Sequence, residues 1–332
     1  MSLELPRLSQ AAFIADLSPR ERSLWRIAAT LAGGVVGGVI IGLIVGMIAL
    51  VLLVFVTSGF HLDPRGLPNQ ITSLIDEDGK TVRSALGLLT LATATNGPMA
   101  ATFIVVAALI LGVNPRRYIT IAAKIRWRLL GSGLLLSFVI IGPLVLASQF
   151  LDPHAPPAPM LSLASDWPGR IGYAVACIAL LIPAAAAEEV VFRGWLLRQT
   201  SAVSRNPVFL MALNGVLFSA VHGEFAPDPF LTRALMGAGF VYMTLRLGGI
   251  EFSTGAHASN NIMIVLFIQP LSLKPAPSTG GVSSGSLFQD LFLLVSYVAM
   301  AEVVARWPLL RRWSGADQVP DLTTNVAAEH FS

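Results

Sequence analysis

From Ile27 to Val56 the chain runs for 30 residues without one formal charge. A bilayer-spanning helix needs about 20 predominantly apolar residues, because in hydrocarbon every backbone N–H and C=O must be satisfied within the segment itself. The run therefore predicts a membrane helix. It exceeds the roughly 7 to 15 apolar residues of a signal-peptide core, and a charged segment of 26 residues precedes it, so a retained helix is expected. Its glycines include the spacings Gly34-x-x-x-Gly38 and Gly38-x-x-x-Gly42, which let a neighbouring helix approach closely.

Further apolar runs follow at about 85–113, with Asn96-Gly97-Pro98 as a kink, and at 129–150, 171–200, 207–222, 231–246, 254–270 and 287–305. The predicted fold class is all-α, a polytopic membrane protein of about eight transmembrane helices. Composition agrees: 12% of residues are charged and 54% hydrophobic, against roughly 25% charged in soluble domains. Soluble, disordered and fibrous classes are excluded. The net charge of +3 lies on no single stripe, so a nucleic-acid partner is not expected. The one cysteine, Cys177, sits inside an apolar run and can form neither an intrachain disulfide nor a Cys-based metal site.

The chain divides into an N-terminal segment 1–26, three membrane helices over 27–150, a second membrane region 151–306 and a polar C-terminal tail 307–332. Asp76 to Lys80 and Pro275 to Ser286 read as solvated connectors. With the N-terminus inside, the inner segments hold 16 Lys/Arg and the outer loops 6, so the positive-inside bias places both termini in the cytoplasm.

An ionisable side chain within a span costs about 2.5 to 3.5 kcal/mol to insert, which marks it as functional by default. The spans hold Glu188, Glu189, Arg193, His222, His257 and Glu302, while every aspartate falls in a loop, a tail or, for Asp290, at the edge of a run. Glu189 and Arg193 are i,i+4 neighbours and can pair, leaving Glu188, about 100° away on the helix, as the free carboxylate. If the fourth and fifth runs form a hairpin turning near 201–206, Glu188 and His222 lie at roughly 20 and 24 Å from the turn at 1.5 Å per residue, close to one level. His257 and Asn261 are also i,i+4 and offer two donors on one helix face. Glu302 with Arg306 reads as an interfacial ion pair, Glu224 and Asp228 as solvated, and His61, His154 and His330 as loop or tail residues.

Hydrolysis within a membrane needs an activated nucleophile, a proton shuttle and donors for the oxyanion. An aspartyl mechanism needs two buried Asp, and none is expected to be buried, so it is excluded. Gly281-Val-Ser283-Ser-Gly285 fits the nucleophile-elbow pattern but lacks the strand-turn-helix context, and His-Glu-x-x-His is absent. A water activated by carboxylate and imidazole remains, with or without a metal.

The ordered set Glu188-Glu189-x-x-x-Arg193, Phe218-x-x-x-His222 and His257-x-x-x-Asn261, with steps of 34 and 35 residues from Glu188 to His222 and from His222 to His257, resembles the CPBP intramembrane protease family. That family, also called Abi or CAAX protease, includes the prenyl-protein endopeptidase. The resemblance covers about 185–265 and implies eight membrane helices with a catalytic cavity in the bilayer. It implies Glu188 as the base, assisted by His222, with His257 and Asn261 on the oxyanion and Glu189 and Arg193 in support. No cofactor is expected from the pairing of Asn261 with His257, although Glu188, His222 and His257 would also make a three-ligand zinc set. The expected activity is endopeptidase cleavage of a hydrophobic or lipidated peptide by a multi-pass protein of a bacterial plasma membrane. Two other classes compete: a non-catalytic immunity or scaffold relative using the polar set as packing glue, and a transporter using Glu188 and His222 as a proton relay, for which no inverted repeat is evident.

Overall fold

The computed structural model describes residues 7–61, 65–76, 79–151, 156–272 and 281–319. His154, His330, Glu77, Asp78, the stretch 273–280 and the tail from 320 onward lie outside the described residues. Among the described residues there are eight long helices and no β-strand, only an isolated bridge between Thr120 and Gly249. The helices are α1 (Leu24–Thr57), α2 (Val82–Leu111), α3 (Trp127–Leu151), α4 (Trp167–Glu189, continuing to Ser201), α5 (Pro207–Ala220), α6 (Pro227–Leu247), α7 (Glu251–Met263, continuing to Ile268) and α8 (Ser284–Arg306).

All eight apolar runs are therefore helical, and the protein is a polytopic membrane protein. Five helices, α1 to α4 and α8, are long and apolar enough to cross a bilayer by themselves. Of the other three, α5 is short and α7 is sealed inside the protein. α5 has 14 residues, about 21 Å of helix against a hydrocarbon core of about 30 Å. In α7 every residue from Glu251 to Ser259 is buried, so protein rather than lipid is its solvent and its polar side chains face neighbouring helices.

The glycines of α1 fulfil their expected role. Gly34, Gly38, Gly42 and Gly46 form its buried stripe, and Cβ atoms added at Gly38 and Gly42 would come within 2.9 Å of the Met99 and Thr95 carbonyl oxygens of α2. Backbone cannot step aside cheaply. Gly38→Leu is therefore expected to lower the melting temperature of the solubilised protein by several degrees, given about 1–3 kcal/mol for overpacking a close contact. An unchanged melting curve would refute this packing.

A second close approach positions the site. A Cβ at Gly255 of α7 would strike the Leu130 carbonyl, and one at Gly133 of α3 the Phe252 carbonyl, so the two backbones touch. Although α3 precedes residue 151, it packs directly on the helix that carries His257. The start of α7 is fixed by a buried pair: Arg126 donates from Nε and Nη2 to Glu251 at 2.9 and 2.7 Å, and from Nη1 to the Leu247 carbonyl at 2.8 Å.

The segment before α1 is docked rather than loose. Leu8, Ala11, Phe13 and Ile14 pack with Leu197, Val241 and Leu245. Buried Arg198 on α4 donates to Glu21 at 2.8 Å and to the Phe13 carbonyl at 2.7 Å, and it also meets Asp16 at 3.2 Å. Past α8, the short helix Pro308–Ser314 and the turn Ala316–Gln318 fold back, burying Ala316 and Val319.

Candidate active site

α4 starts on a polar cap, with Asp166 accepting from Gly169 N at 3.0 Å, and runs through Glu188 and Glu189 into a π segment, Val190–Leu196. α5 starts on Asn206, which accepts from Val208 N and Phe209 N, and it ends at Ala220, so His222 stands just beyond its last turn. The turn from Ser201 to Asn206 makes the hairpin expected from the sequence. Glu188 Oε2 lies 4.0 Å from His222 Nε2. α7 brings His257 to the same carboxylate, its Nε2 being 3.8 Å from Glu188 Oε2.

Each imidazole is oriented through its other nitrogen. His222 Nδ1 is 2.8 Å from the Phe218 carbonyl, so it carries the proton and leaves Nε2 as an acceptor. His257 Nδ1 is 3.0 Å from Glu189 Oε1, and Arg193 Nη1 reaches the same oxygen at 3.0 Å. The expected Glu189–Arg193 pair is present, but the sequence missed its larger consequence. The two adjacent carboxylates diverge on the helix and still meet one side chain, because His257 lies between them with one nitrogen toward each. No pattern in the sequence indicates that bond.

Aromatic rings close the remaining sides. His257 lies on Phe240 with centroids 5.2 Å apart and planes 27° apart, and its edge meets Phe218 at 5.8 Å. Phe218 also packs on His222 at 4.8 Å and carries the Arg193 guanidinium 4.1 Å above its ring. Glu189 and Arg193 are fully buried, whereas Glu188 and His222 keep 29% and 32% of their side chains accessible. The Glu189–Arg193 pair is thus sealed, whereas Glu188 and His222 can be reached. Asn261, one turn beyond His257 and half-buried, accepts from Asn260 Nδ2 at 3.4 Å. A second π segment, Ile264–Ile268, begins three residues later. α4 and α7 thus both depart from α geometry just past the candidate residues they carry, as π turns often do at functional sites.

Glu188 Oε2 is buried and has no hydrogen-bond partner among the described residues. An orphaned buried acceptor facing two Nε2 atoms is a place for one small polar species. Ligands about 2.1 Å from a tetrahedral zinc stand roughly 3.4 Å apart, while a water hydrogen-bonded at about 2.8 Å to two groups holds them roughly 4 Å or more apart. The separations of 4.0 and 3.8 Å lie nearer the second. Among the described residues no group of three or more His, Cys, Asp or Glu is disposed to hold a metal ion.

Three peripheral readings change. Asp290, placed at the edge of a run, is buried at 4% exposure two turns into α8, because that helix begins at Ser284 and packs on α6. Glu224 is not merely solvated but paired with Arg233. Glu302 gathers Tyr242 and Arg246, both at 2.7 Å, in addition to Arg306.

Fold and site together define a polytopic membrane protein with a carboxylate–imidazole centre among its helices. Residues 170–263, which contain Glu188, His222, His257 and Asn261, match the family model for Type II CAAX prenyl endopeptidase Rce1-like proteins. The match falls on the segment whose motifs carry the resemblance. The chain is also 29% identical over 204 residues to a Bacillus subtilis (strain 168) protein named Uncharacterized protein YyaK, covering 58% of this chain and 66% of that one. No solved structure matches the chain.

Proposed function

We propose that this protein is an intramembrane endopeptidase that cleaves a peptide bond of a hydrophobic or lipidated peptide with a water activated by Glu188 and His222. The observation that carries the proposal is the buried, unpartnered Oε2 of Glu188 facing the two imidazole Nε2 atoms at 4.0 and 3.8 Å. Water between Glu188 and His222 donates one hydrogen to each. Glu188 takes the first proton as the oxygen attacks the carbonyl carbon. The developing oxyanion is met by the Asn261 amide and by His257 Nε2. Because His257 Nδ1 donates to Glu189, its Nε2 donates to the oxyanion when the ring carries both protons. Protonated Glu188 then gives its proton to the leaving amine, and the C–N bond breaks.

Packing glue, the competing reading, would require polar atoms that satisfy one another, and the orphaned Glu188 oxygen does not. A fluorogenic apolar peptide in proteoliposomes tests the proposal: cleavage is expected, and its absence across a panel of apolar and prenylated peptides would count against it. The same assay tests the metal-free mechanism, for which a strong chelator is expected to leave the rate largely intact. Loss of activity on chelation, restored by zinc at about one per chain, would reassign Glu188, His222 and His257 as ligands.

The proposed setting is a bacterial plasma membrane with both termini cytoplasmic, the substrate arriving from the bilayer. It is supported by the distribution of Lys and Arg. With Cys177 replaced, single cysteines at the exposed positions Lys124 and Gly281 should label from opposite faces, inside and outside respectively. Labelling of both from one face would overturn this topology.

A further inference from the structure

His257 has to be aimed in two directions at once. Its Nδ1 meets Glu189 Oε1 at 3.0 Å while its Nε2 stands 3.8 Å from Glu188 Oε2. One hydrogen bond fixes where Nδ1 points, but the terminal torsion of a histidine is broad and roughly two-fold, so the plane of the ring is left free to swing. A swing would carry Nε2 away from Glu188. α6 carries none of the residues given a part in the reaction, yet it supplies a flat surface against that motion. Phe240 is fully buried, and its ring lies 5.2 Å from the imidazole with the planes 27° apart. The Arg193 guanidinium stands 5.1 Å from the centroid of the same ring, within the range at which an aromatic face attracts a cation. Phe240 thus packs against both donors that converge on Glu189 Oε1.

We infer that Phe240 is a positioning residue, whose ring holds the plane of the His257 imidazole so that Nδ1 stays on Glu189 while Nε2 faces Glu188. The inference rests on the endopeptidase reading and gives α6 a part in the reaction. Further contacts keep the ring itself in place. Tyr297 packs on it with centroids 4.9 Å apart. One turn earlier α6 comes close through Gly237, where an added Cβ would stand 3.2 Å from Phe218 Cδ1 and 3.3 Å from Arg193 Nη2. Being sealed at 0% exposure, Phe240 cannot touch a substrate, so whatever it contributes to turnover must pass through the side chains it packs on.

Phe240→Met is the test, because methionine refills the volume with a flexible apolar chain and removes the ring face. Turnover of the fluorogenic peptide is expected to fall about 10-fold, the scale of one aromatic pair, with KM near its wild-type value. Phe240→Leu should do the same. Phe13→Leu serves as the structural control, since Phe13 is equally buried but belongs to the cluster under the N-terminal segment. All three variants should melt a few degrees lower, as expected for disturbing a buried ring, and the assays are run below these transitions. Only the Phe240 variants should lose kcat. Wild-type kcat in both of them would overturn the inference, as would an equal fall in Phe13→Leu. A second readout needs no activity: the ring signals of His257 in isotope-labelled protein, identified by their loss in His257→Gln, should move in Phe240→Met and stay in Phe13→Leu. Unmoved signals in Phe240→Met would also overturn the inference. Failure of the endopeptidase reading is separately visible, because wild-type protein would then cleave nothing or Glu188→Gln would retain full activity.

Discussion

Glu188→Gln is expected to reduce peptide cleavage by about 10³-fold or more, within the range for loss of a general base and at its upper end because no second carboxylate can reach the same water. Expression and melting temperature should change little. Gln keeps the shape, and Glu188 Oε2 has no hydrogen bond to lose. Glu189→Ala should behave differently, lowering both activity and stability. It strands the fully buried Arg193 and releases His257 Nδ1, and uncovering one member of a buried pair costs about 3–5 kcal/mol. The contrast matters because the two residues are adjacent. Substantial activity in Glu188→Gln would sink the mechanism, and equal loss of stability in both variants would contradict the separation of reactive from supporting carboxylate.

Asn261→Ala should lower kcat by about 10²- to 10³-fold, the usual cost of removing one oxyanion donor, while KM stays near its wild-type value. Asn261 lies one turn beyond His257, with its Oδ1 engaged by Asn260, which leaves the amide N–H groups free for a developing negative charge. Such a donor acts in the transition state and contributes little to ground-state binding. A rise in KM with unchanged kcat would assign Asn261 to substrate binding and remove it from the chemistry.

Much of the site was legible because its parts are expensive where they stand. Charged and imidazole side chains within apolar runs are few, so Glu188, His222 and His257 could be found by their cost alone, and the short loop at 201–206 set two of them at one depth. The position of each helix followed from apolar run length. Helix ends moved by a few residues where a cap such as Asp166 or Ser283 lies outside the apolar run.

Buried charges supplied by connectors were not legible. Arg126, Arg198, Glu21 and Glu251 stand in or next to polar segments, where insertion cost singles out no residue, yet they form sealed ion pairs that anchor α7 and α4. The burial of Asp290, placed at the edge of a run, was missed for the same reason. Cost cannot identify a charge whose burial comes from a distant segment folding over it.

The sequence by itself determined that the chain is an all-helical membrane protein and which polar side chains its helices must shelter, because insertion energies are local and depend on each residue and its neighbours along the run. Only the tertiary structure decided that Glu188 and Glu189, diverging on one helix, serve opposite nitrogens of the same imidazole. That arrangement depends on the π turn of α4, the contact of Gly255 with Leu130 that sets α7, and the rings of Phe218 and Phe240. These are contacts between residues far apart in the chain, and their geometry is fixed by packing, to which no spacing within a single segment refers.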